Sequence, residues 1–538
     1  MFSIDYIKEW SESYKTDLTT NIMPFWLKYG LDKVNGGIYT CVDRNGSLMD
    51  TTKSVWFQGR FAFICSYAYN NIEKNEAWLA AAKSTIDFIE AHCFDSDGRM
   101  YFEVTAEGTP LRKRRYIFSE SFAAIAMSEY AIASGDQTYA VDLFKRMQYF
   151  METPGILPPK YLDTLPMKGH SITMILINVA SRIRQAIQDE SFNGQIDASI
   201  AQLRKDFMHP EFKALLETVG PHGEFIDSNM GRTINPGHCI ETAWFLLEEA
   251  KYRNWDKDIT ELALTILDWS WEWGWDKEFG GIINFKDCKN LPPQDYSQDM
   301  KFWWPQTEAI IATLYAYLAT GNEKYLDMHK QISDWTYTHF PDKECGEWFG
   351  YLHRDGTPAQ MAKGNLFKGP FHIPRMMIKG YTLCKEILDN KSPLSISMKN
   401  SKIYPWVVVG LLWGVALLNY MDRQMLSTMR DAMAVDITEL QSAANFGRLM
   451  GVFLWIYGCM SPIAGMVGDR MNRKWLIVGS LFVWSAVTYL MGIADTYNEV
   501  FFLRALMGIS EALYIPAGLS LIADYHSDKS RSLAIGIH

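Results

Sequence analysis

Several polar or ionisable residues in the first 390 positions stand at the head of apolar, helix-patterned stretches. They are Arg60 in SVWFQGR, Glu120 in FSESF, His170 in KGHSITMIL, His238 and Glu241 in NPGHCIETAWFLL, Glu308 in WWPQTEAII and His372 in KGPFHIPRMM. Imidazole titrates near neutrality, so a pair of histidines can move a proton in both directions. A neighbouring carboxylate fixes the imidazole tautomer, and a guanidinium stabilises a developing oxyanion. His238 and Glu241 are three residues apart and Trp304 and Glu308 four, so each pair shares a helix face. Pro236 and Pro374 suit the first turn of a helix, where a missing N–H costs little. Each residue also has a plainer reading as a cap, a packing ring or a solvated carboxylate. Their recurrence at corresponding positions of a repeat favours one shared site.

The repeat is written in glycine-aromatic turns: NGGIY at 35–39, DGRMYFEV at 97–104, HGEFID at 222–227, FGGIINF at 279–285 and GEWFGYL at 346–352. From Gly36 through Gly98, Gly223, Gly280 and Gly346 the intervals are 62, 125, 57 and 66, the long one being two periods. A degenerate sixth signal is expected near residue 160, in ILPPKYLDT. Between the turns, apolar residues recur at helical spacing over 77–91, 122–133, 172–187, 240–252, 259–273 and 308–319. A period of roughly 60 residues holds two helices and a short hairpin. Tetratricopeptide arrays, with ~34-residue units, do not fit. The expected fold is all-α: a six-unit (α/α) barrel whose helix starts converge on one mouth, over residues 1–390. Helix N-termini bring partial positive charge to that mouth.

The motifs GGIYTCVDRNG at 36–46, SVWFQGR at 54–60, NPGHCIETAWFLL at 235–247, WWPQTEA at 303–309 and GPFHIPR at 369–375 resemble the N-acylglucosamine 2-epimerase family, also known for renin-binding protein. The resemblance covers essentially the whole of residues 1–390 and implies a six-unit α/α barrel. It maps catalytic roles onto Arg60, His238, Glu308 and His372, with inversion at C2 of an amino sugar through an enediolate. Substrate contacts are expected from His170, Glu241, Glu120, Trp304, Trp56 and Gln58. No metal or nicotinamide is expected to be required. Some members respond to ATP as an effector, although no G-x-x-x-x-G-K-[ST] loop is present. Relatives commonly form homodimers. Cellobiose-type 2-epimerisation and aldose-ketose isomerisation are the nearest alternatives. A glycosidase would use two carboxylates, and a non-catalytic binding barrel or a transporter component are readings of another class.

The last quarter has a different character, hidden in a whole-chain mean hydropathy of −0.12. Residues 404–420, 449–468 and 475–493 contain no Asp, Glu, Lys or Arg, and 500–523 contain only Arg504 and Glu511, seven apart on one helix face. Each approaches the ~20 residues needed to span a bilayer, so about four transmembrane helices are expected after a polar linker at 391–403. NYMDRQ at 419–424, GMVGDRMNRK at 465–474 and RALMGISEALYIPAGLSLIADY at 504–525 resemble the amino-terminal part of major facilitator transporters, in the branch that carries organic anions and sugar acids. The Asp469–Arg470 turn suits an interhelix charge clamp. Lys391, Lys399 and Lys402, then Arg470, Arg473 and Lys474, and finally Lys529 and Arg531 mark the cytoplasmic side, with Arg423, Arg430 and Arg448 in a long loop opposite. The barrel is therefore expected in the cytoplasm of a bacterium, tethered to its inner membrane. The union of the two parts implies sialic acid catabolism by resemblance.

A net charge of −10 with no basic block gives no support to nucleic acid as a partner. Eight cysteines without a C-x-x-C pair fit neither a disulfide framework nor a zinc site.

Overall fold

A computed structural model of the chain describes residues 2–538 apart from 115, 137–139, 154, 158–159, 162, 390–403, 471–472 and 527. The chain divides into two units, Met1–Ile396 and Ser397–His538. The expected linker at 391–403 lies outside the described residues.

In the first unit the helices are α1 (Phe2–Asp17), α2 (Met23–Tyr29), α3 (Val55–Asn71), α4 (Glu76–His92), α5 (Phe118–Ser134), α6 (Ala140–Glu152) and α7 (His170–Ile187), followed by α8 (Asn193–Gln202), α9 (Pro236–Tyr252), α10 (Lys257–Gly274), α11 (Trp303–Thr320), α12 (Glu323–His339) and α13 (His372–Asp389). The inner ring runs α3, α5, α7, α9, α11, α13 and back to α3, each packed on the next. Helices α4, α6, α8, α10 and α12 pack outside their preceding partners, and α1 covers α13, which completes the sixth pair. The expected six-unit barrel is thus present.

Sequence decides which helix goes inside. In α3, VWFQGRFAFICSYAYNN, nearly every residue from Val55 to Ala68 is buried, as befits a helix apolar on all sides. In α4 the buried set Trp78, Ala81, Ala82, Thr85, Ile86, Phe88 and Ile89 recurs at three and four, leaving a polar outer face.

Gly36, Gly98, Gly223, Gly280 and Gly346 all have φ between +76° and +92°, so the turns read from sequence are real. The sixth signal falls partly outside the described residues. The turns share a device that motif reading did not reveal. Asp32, Asp276 and Asp342 each accept two backbone N–H groups of their own turn. Each also holds a buried lysine: Lys53 at 2.8 Å, Lys301 at 3.0 Å and Lys363 at 2.8 Å. Short antiparallel pairs, such as Lys53–Ser54 with Glu103–Val104 and Thr233–Ile234 with Lys286–Asp287, then lead into the inner helices.

The second unit contains α14 (Tyr404–Thr428), α15 (Arg430–Asp436), α16 (Ala443–Arg470), α17 (Arg473–Met491), α18 (Tyr497–Tyr525) and α19 (Asp528–Ile537). Three segments, Pro405–Thr428, Ala443–Gly465 and Tyr497–Ala523, are long and apolar enough to cross a membrane. The remaining expected span is a shorter apolar helix, Trp475–Met491. Arg423 and Arg430 lie in helices rather than in an open loop, because α14 continues past its apolar stretch and turns directly into α15; Arg448 likewise lies within α16. Within this unit Arg423 Nε reaches Glu511 Oε1 at 2.6 Å, and Arg504 and Glu511 are both buried, as their shared face required. The side chains of Asp469 and Arg470 lie outside the described residues.

Candidate active site

The N-terminal ends of the inner helices surround a cavity of about 540 Å³. Its wall is largely aromatic, with Trp56, Phe122, Trp303, Trp304, Tyr351 and Phe371 among its lining residues. Such rings present flat apolar faces to the C–H side of a ligand, while a few polar groups fix its orientation. Among those groups are Arg60, Glu217, His238, Glu241, His372, Arg375 and Asn178.

His372 is the first residue of α13, and its Nδ1 lies 2.7 Å from Glu308 Oε1. The other Glu308 oxygen accepts from Trp244 Nε1 at 2.6 Å, and Arg375 Nη2 donates to Oε1 at 2.7 Å and to Glu241 Oε1 at 2.5 Å. With its Nδ1 proton directed to Glu308, His372 keeps Nε2 as its basic atom. Burial, reinforced by the charges of Arg375 and Arg60, holds His372 well below the usual imidazole range. Its neutral form is therefore the stable one at neutral pH.

His238 sits in the first turn of α9, where Pro236 opens the helix and Asn235 Oδ1 accepts the His238 N–H at 3.2 Å. Its Nδ1 lies 3.0 Å from both Glu217 oxygens. Burial pulls this imidazole down, but the Glu217 charge and its hydrogen bond, with Glu241 adding, overcome that and raise it above the ordinary range. Glu217 is held low in turn by the same two histidines it faces, His238 and His170, despite its burial. Trp304 stands between the catalytic candidates, its ring 5.1 Å from His238 and 5.9 Å from His372. That approach requires Gly237: a β-carbon there would run into the Trp304 ring.

Arg60 is enclosed by rings, its guanidinium 4.1 Å from the Phe122 centroid and 4.8 Å from Phe371. Its buried Nε has no hydrogen-bond partner and no ion pair holds it among the described residues, and burial with Arg375 nearby pushes it down to about 9. A cation without a fixed counter-ion, lining a cavity, is placed to meet a ligand oxygen.

The structure brings together Arg60, His238, Glu241, Glu308, His372, Trp56 and Trp304, but it redistributes their tasks. Glu241 pairs with Arg375 rather than with His238; the carboxylate serving His238 is Glu217, in the bend between the short strands Ala214–Leu215 and Thr218–Val219. His170 is fully buried behind the wall, with Nε2 2.9 Å from Thr242 Oγ1 and Nδ1 3.8 Å from Glu217. It lies behind the cavity lining, braced against Thr242.

Gln58 and Glu120 are not cavity residues. Gln58 clamps the turn backbone, accepting from Ile38 N and donating to Ile38 O, as Gln306 does for Ile282. Glu120 accepts from Met100 N at 2.9 Å and from Arg99 Nε at 3.0 Å. Buried beneath the mouth, these side chains satisfy backbone groups that would otherwise be unpaired.

Glu241, Glu308 and His372 place potential ligand atoms within 4.8 Å of one another, as a metal site would. Arg375 Nη2 already bonds both carboxylates, so the position of positive charge between them belongs to the guanidinium.

Sequence motifs missed Glu217, Arg375 and Asn178. Arg375 follows His372 by three residues and was readable as its helix-face neighbour. Asn178 is a lone amide within the apolar run of α7, 5% exposed, lining the cavity and without a hydrogen-bond partner among the described residues.

A closed helical barrel with two carboxylate-backed imidazoles facing an aromatic cavity defines the class: a carbohydrate isomerase of the α/α-barrel type. Residues 37–368 match the N-acylglucosamine 2-epimerase (GlcNAc 2-epimerase) family, and the chain belongs to it. Over 394 residues it is 33% identical to the N-acylglucosamine 2-epimerase of Bos taurus, covering 71% of this chain and 92% of the bovine protein. It is 25% identical to the cellobiose 2-epimerase of Eubacterium cellulosolvens, covering 69% and 96%. The solved cellobiose 2-epimerase of Bacillus thermoamylovorans B4167 shares the fold, with a TM-score of 0.62 at 23% identity over 70% of this chain and 99% of that one. Residues 412–538 match the Major Facilitator Superfamily, so the protein joins an epimerase to a membrane-associated segment.

Proposed function

We propose that the barrel interconverts N-acylglucosamine and N-acylmannosamine by proton exchange at C2. The observation that carries this reading is the pair of carboxylate-backed imidazoles, His372 on Glu308 and His238 on Glu217, lining one cavity, with His372 displaced downward and His238 upward. His372 is thus biased toward the neutral base and His238 toward the protonated acid, the complementary pair that inversion at a carbon requires. In the open-chain sugar the C1 carbonyl acidifies the C2 proton. Neutral His372 removes it, Arg60 stabilises the enediolate oxygen, and His238 returns a proton to the opposite face. The reverse reaction exchanges the two roles. Glu308 and Glu217 position the two rings.

Asn178 supports an N-acyl substrate. Its unpartnered amide offers both a donor and an acceptor, the complement of an acetamido group, beside Met174 and Ile175 on the cavity wall. We assign the reaction to amino-sugar catabolism of the sialic acid type, in a barrel held at the cytoplasmic face of a bacterial inner membrane by residues 404–538. The mechanism uses side chains alone, and ATP enters the scheme only as an effector.

The test is incubation of the full chain, in detergent micelles, with N-acetylmannosamine in deuterium oxide, following C2 by NMR. Deuterium at C2 together with appearance of the gluco epimer is expected. Label at C1 with ketose formation, or exchange with cellobiose and not with the amino sugar, overturns the reading. Asn178→Ala should raise KM for the N-acetyl sugar by about 5- to 100-fold, the loss of one buried hydrogen bond, with kcat little changed.

A further inference from the structure

The opposite end of the barrel, where the inner helices finish, holds a second cavity of about 460 Å³. Its floor is an ionic cluster. Glu248 Oε1 accepts from Arg182 Nη2 and Lys379 Nζ, each at 2.5 Å, and from the Tyr315 hydroxyl at 3.1 Å. Burial, only partly offset by Glu248, pushes Lys379 down to about 8. All four side chains line the cavity.

Three side chains there keep polar atoms that no other group engages. Arg182 is 5% exposed, yet only its Nη2 is engaged; Nε and Nη1 donate to nothing among the described residues. Tyr67 is 6% exposed, and its hydroxyl has no partner among the described residues. Glu129 is 4% exposed; Oε1 accepts from Asn70 Nδ2 at 2.9 Å, while Oε2 accepts from nothing. Arg182 and Glu129 lie on adjacent inner helices yet do not close on each other to within 4.0 Å. Of these atoms Arg182 Nε is closed off from solvent without a partner, at a cost of roughly 1–3 kcal/mol, while the others belong to side chains that line the cavity, where a ligand can reach them.

Charge and chemistry define what completes them. Arg182 and Lys379 are balanced by Glu248 and Glu129, so the buried lining has no excess charge with which to attract an ion. The open positions are donors on Arg182, an acceptor on Glu129 and a hydroxyl on Tyr67, which can be either. A hydroxyl group is donor and acceptor at once. The rings of Tyr67 and Tyr315 supply apolar faces for a ligand's C–H side. The volume lies within the range of small-molecule sites.

We infer that this far mouth is a second binding site, for a neutral, hydroxyl-rich molecule of monosaccharide size held between Arg182, Glu129 and the Tyr67 hydroxyl. It is distinct from the cavity around His238 and His372 and does not depend on which sugar is turned over there.

The test is equilibrium dialysis of the full chain in detergent micelles against N-acetylglucosamine, comparing wild type with the isosteric double variant Tyr67→Phe/Glu129→Gln. The variant is expected to lose one equivalent of bound sugar per chain while keeping its turnover and melting temperature. Equal binding by both proteins overturns the site, and so does displacement of that equivalent by inorganic phosphate, which would make it an anion site. Hydrogen-deuterium exchange on wild type gives an answer that does not depend on the variant folding. N-acetylglucosamine should slow exchange at 67–71 and 182–188 in an Arg60→Ala background, where the catalytic cavity is impaired; no protection there sinks the proposal.

Discussion

The two walls of the catalytic cavity use the same first move and reach opposite results. Each histidine turns Nδ1 toward a glutamate, His372 toward Glu308 and His238 toward Glu217. The difference lies one contact further out. Glu308 is already engaged by Arg375 and Trp244, so its charge is spent and burial dominates His372. Glu217 has no ion pair with a lysine or arginine among the described residues, so its charge is left to act on the imidazoles, His238 at 3.0 Å before His170 at 3.8 Å. A carboxylate-imidazole pair thus does not by itself make a base or an acid; the third partner decides.

The coarsest way to break this comparison is to remove either ring. His372→Ala and His238→Ala should each lower kcat by about 10²–10⁴, the usual worth of a general acid or base. Single-turnover exchange should separate them. Each variant should lose C2 deuterium wash-in from the epimer whose proton its missing histidine removes; equal loss from both epimers would count against assigned faces.

Removing the third partner is the next largest change. Arg375→Met leaves Glu241 and Glu308 buried without their cation, at a cost of about 3–5 kcal/mol in denaturant unfolding. In the folded fraction Glu308 regains its influence and His372 rises. The wild-type pH profile should fall on the acid side where His372 gains a proton and on the alkaline side where His238 loses one. In Arg375→Met the acid limb should move to higher pH, and an unmoved limb would remove Arg375 from the explanation.

Glu217→Gln is the gentlest change, since the amide keeps the shape and removes the charge. His238 then lacks its main support, and the alkaline limb should move to lower pH with KM nearly constant. A merely structural role for Glu217 would lower activity without moving that limb.

Much of this arrangement was legible in the chain. The glycine turns gave the six-fold period because Gly36, Gly98, Gly223, Gly280 and Gly346 occupy backbone conformations that other residues adopt at a cost. Apolar periodicity sets in late, at Ile240 in α9 and Glu308 in α11: α9 begins at Pro236, where the proline marks helix entry, and α11 at Trp303. Apolar periodicity fades in those first turns because they carry the site. Gln58 and Glu120 misled because a polar residue at the head of an inner helix serves either the cavity or the turn beside it, and spacing alone does not distinguish the two. Glu217 stayed hidden because it sits in a bend between two short strands, away from any helix start, and only the fold carries it to His238. In the second unit hydropathy located the spans, yet could not show that α14 runs on as helix through Arg423 to meet Glu511.

Helix α1 packs on α13, so the beginning of the barrel sequence is also its final stave. During synthesis the earliest helix has to wait, its apolar stripe uncovered, until nearly all of this unit has left the ribosome. Contacts so distant along the chain slow the search for the native state, and the waiting surface is open to unwanted association. The hydrophobic spans follow soon after, which sets the last step of ring assembly close in time to delivery of the chain to the bilayer.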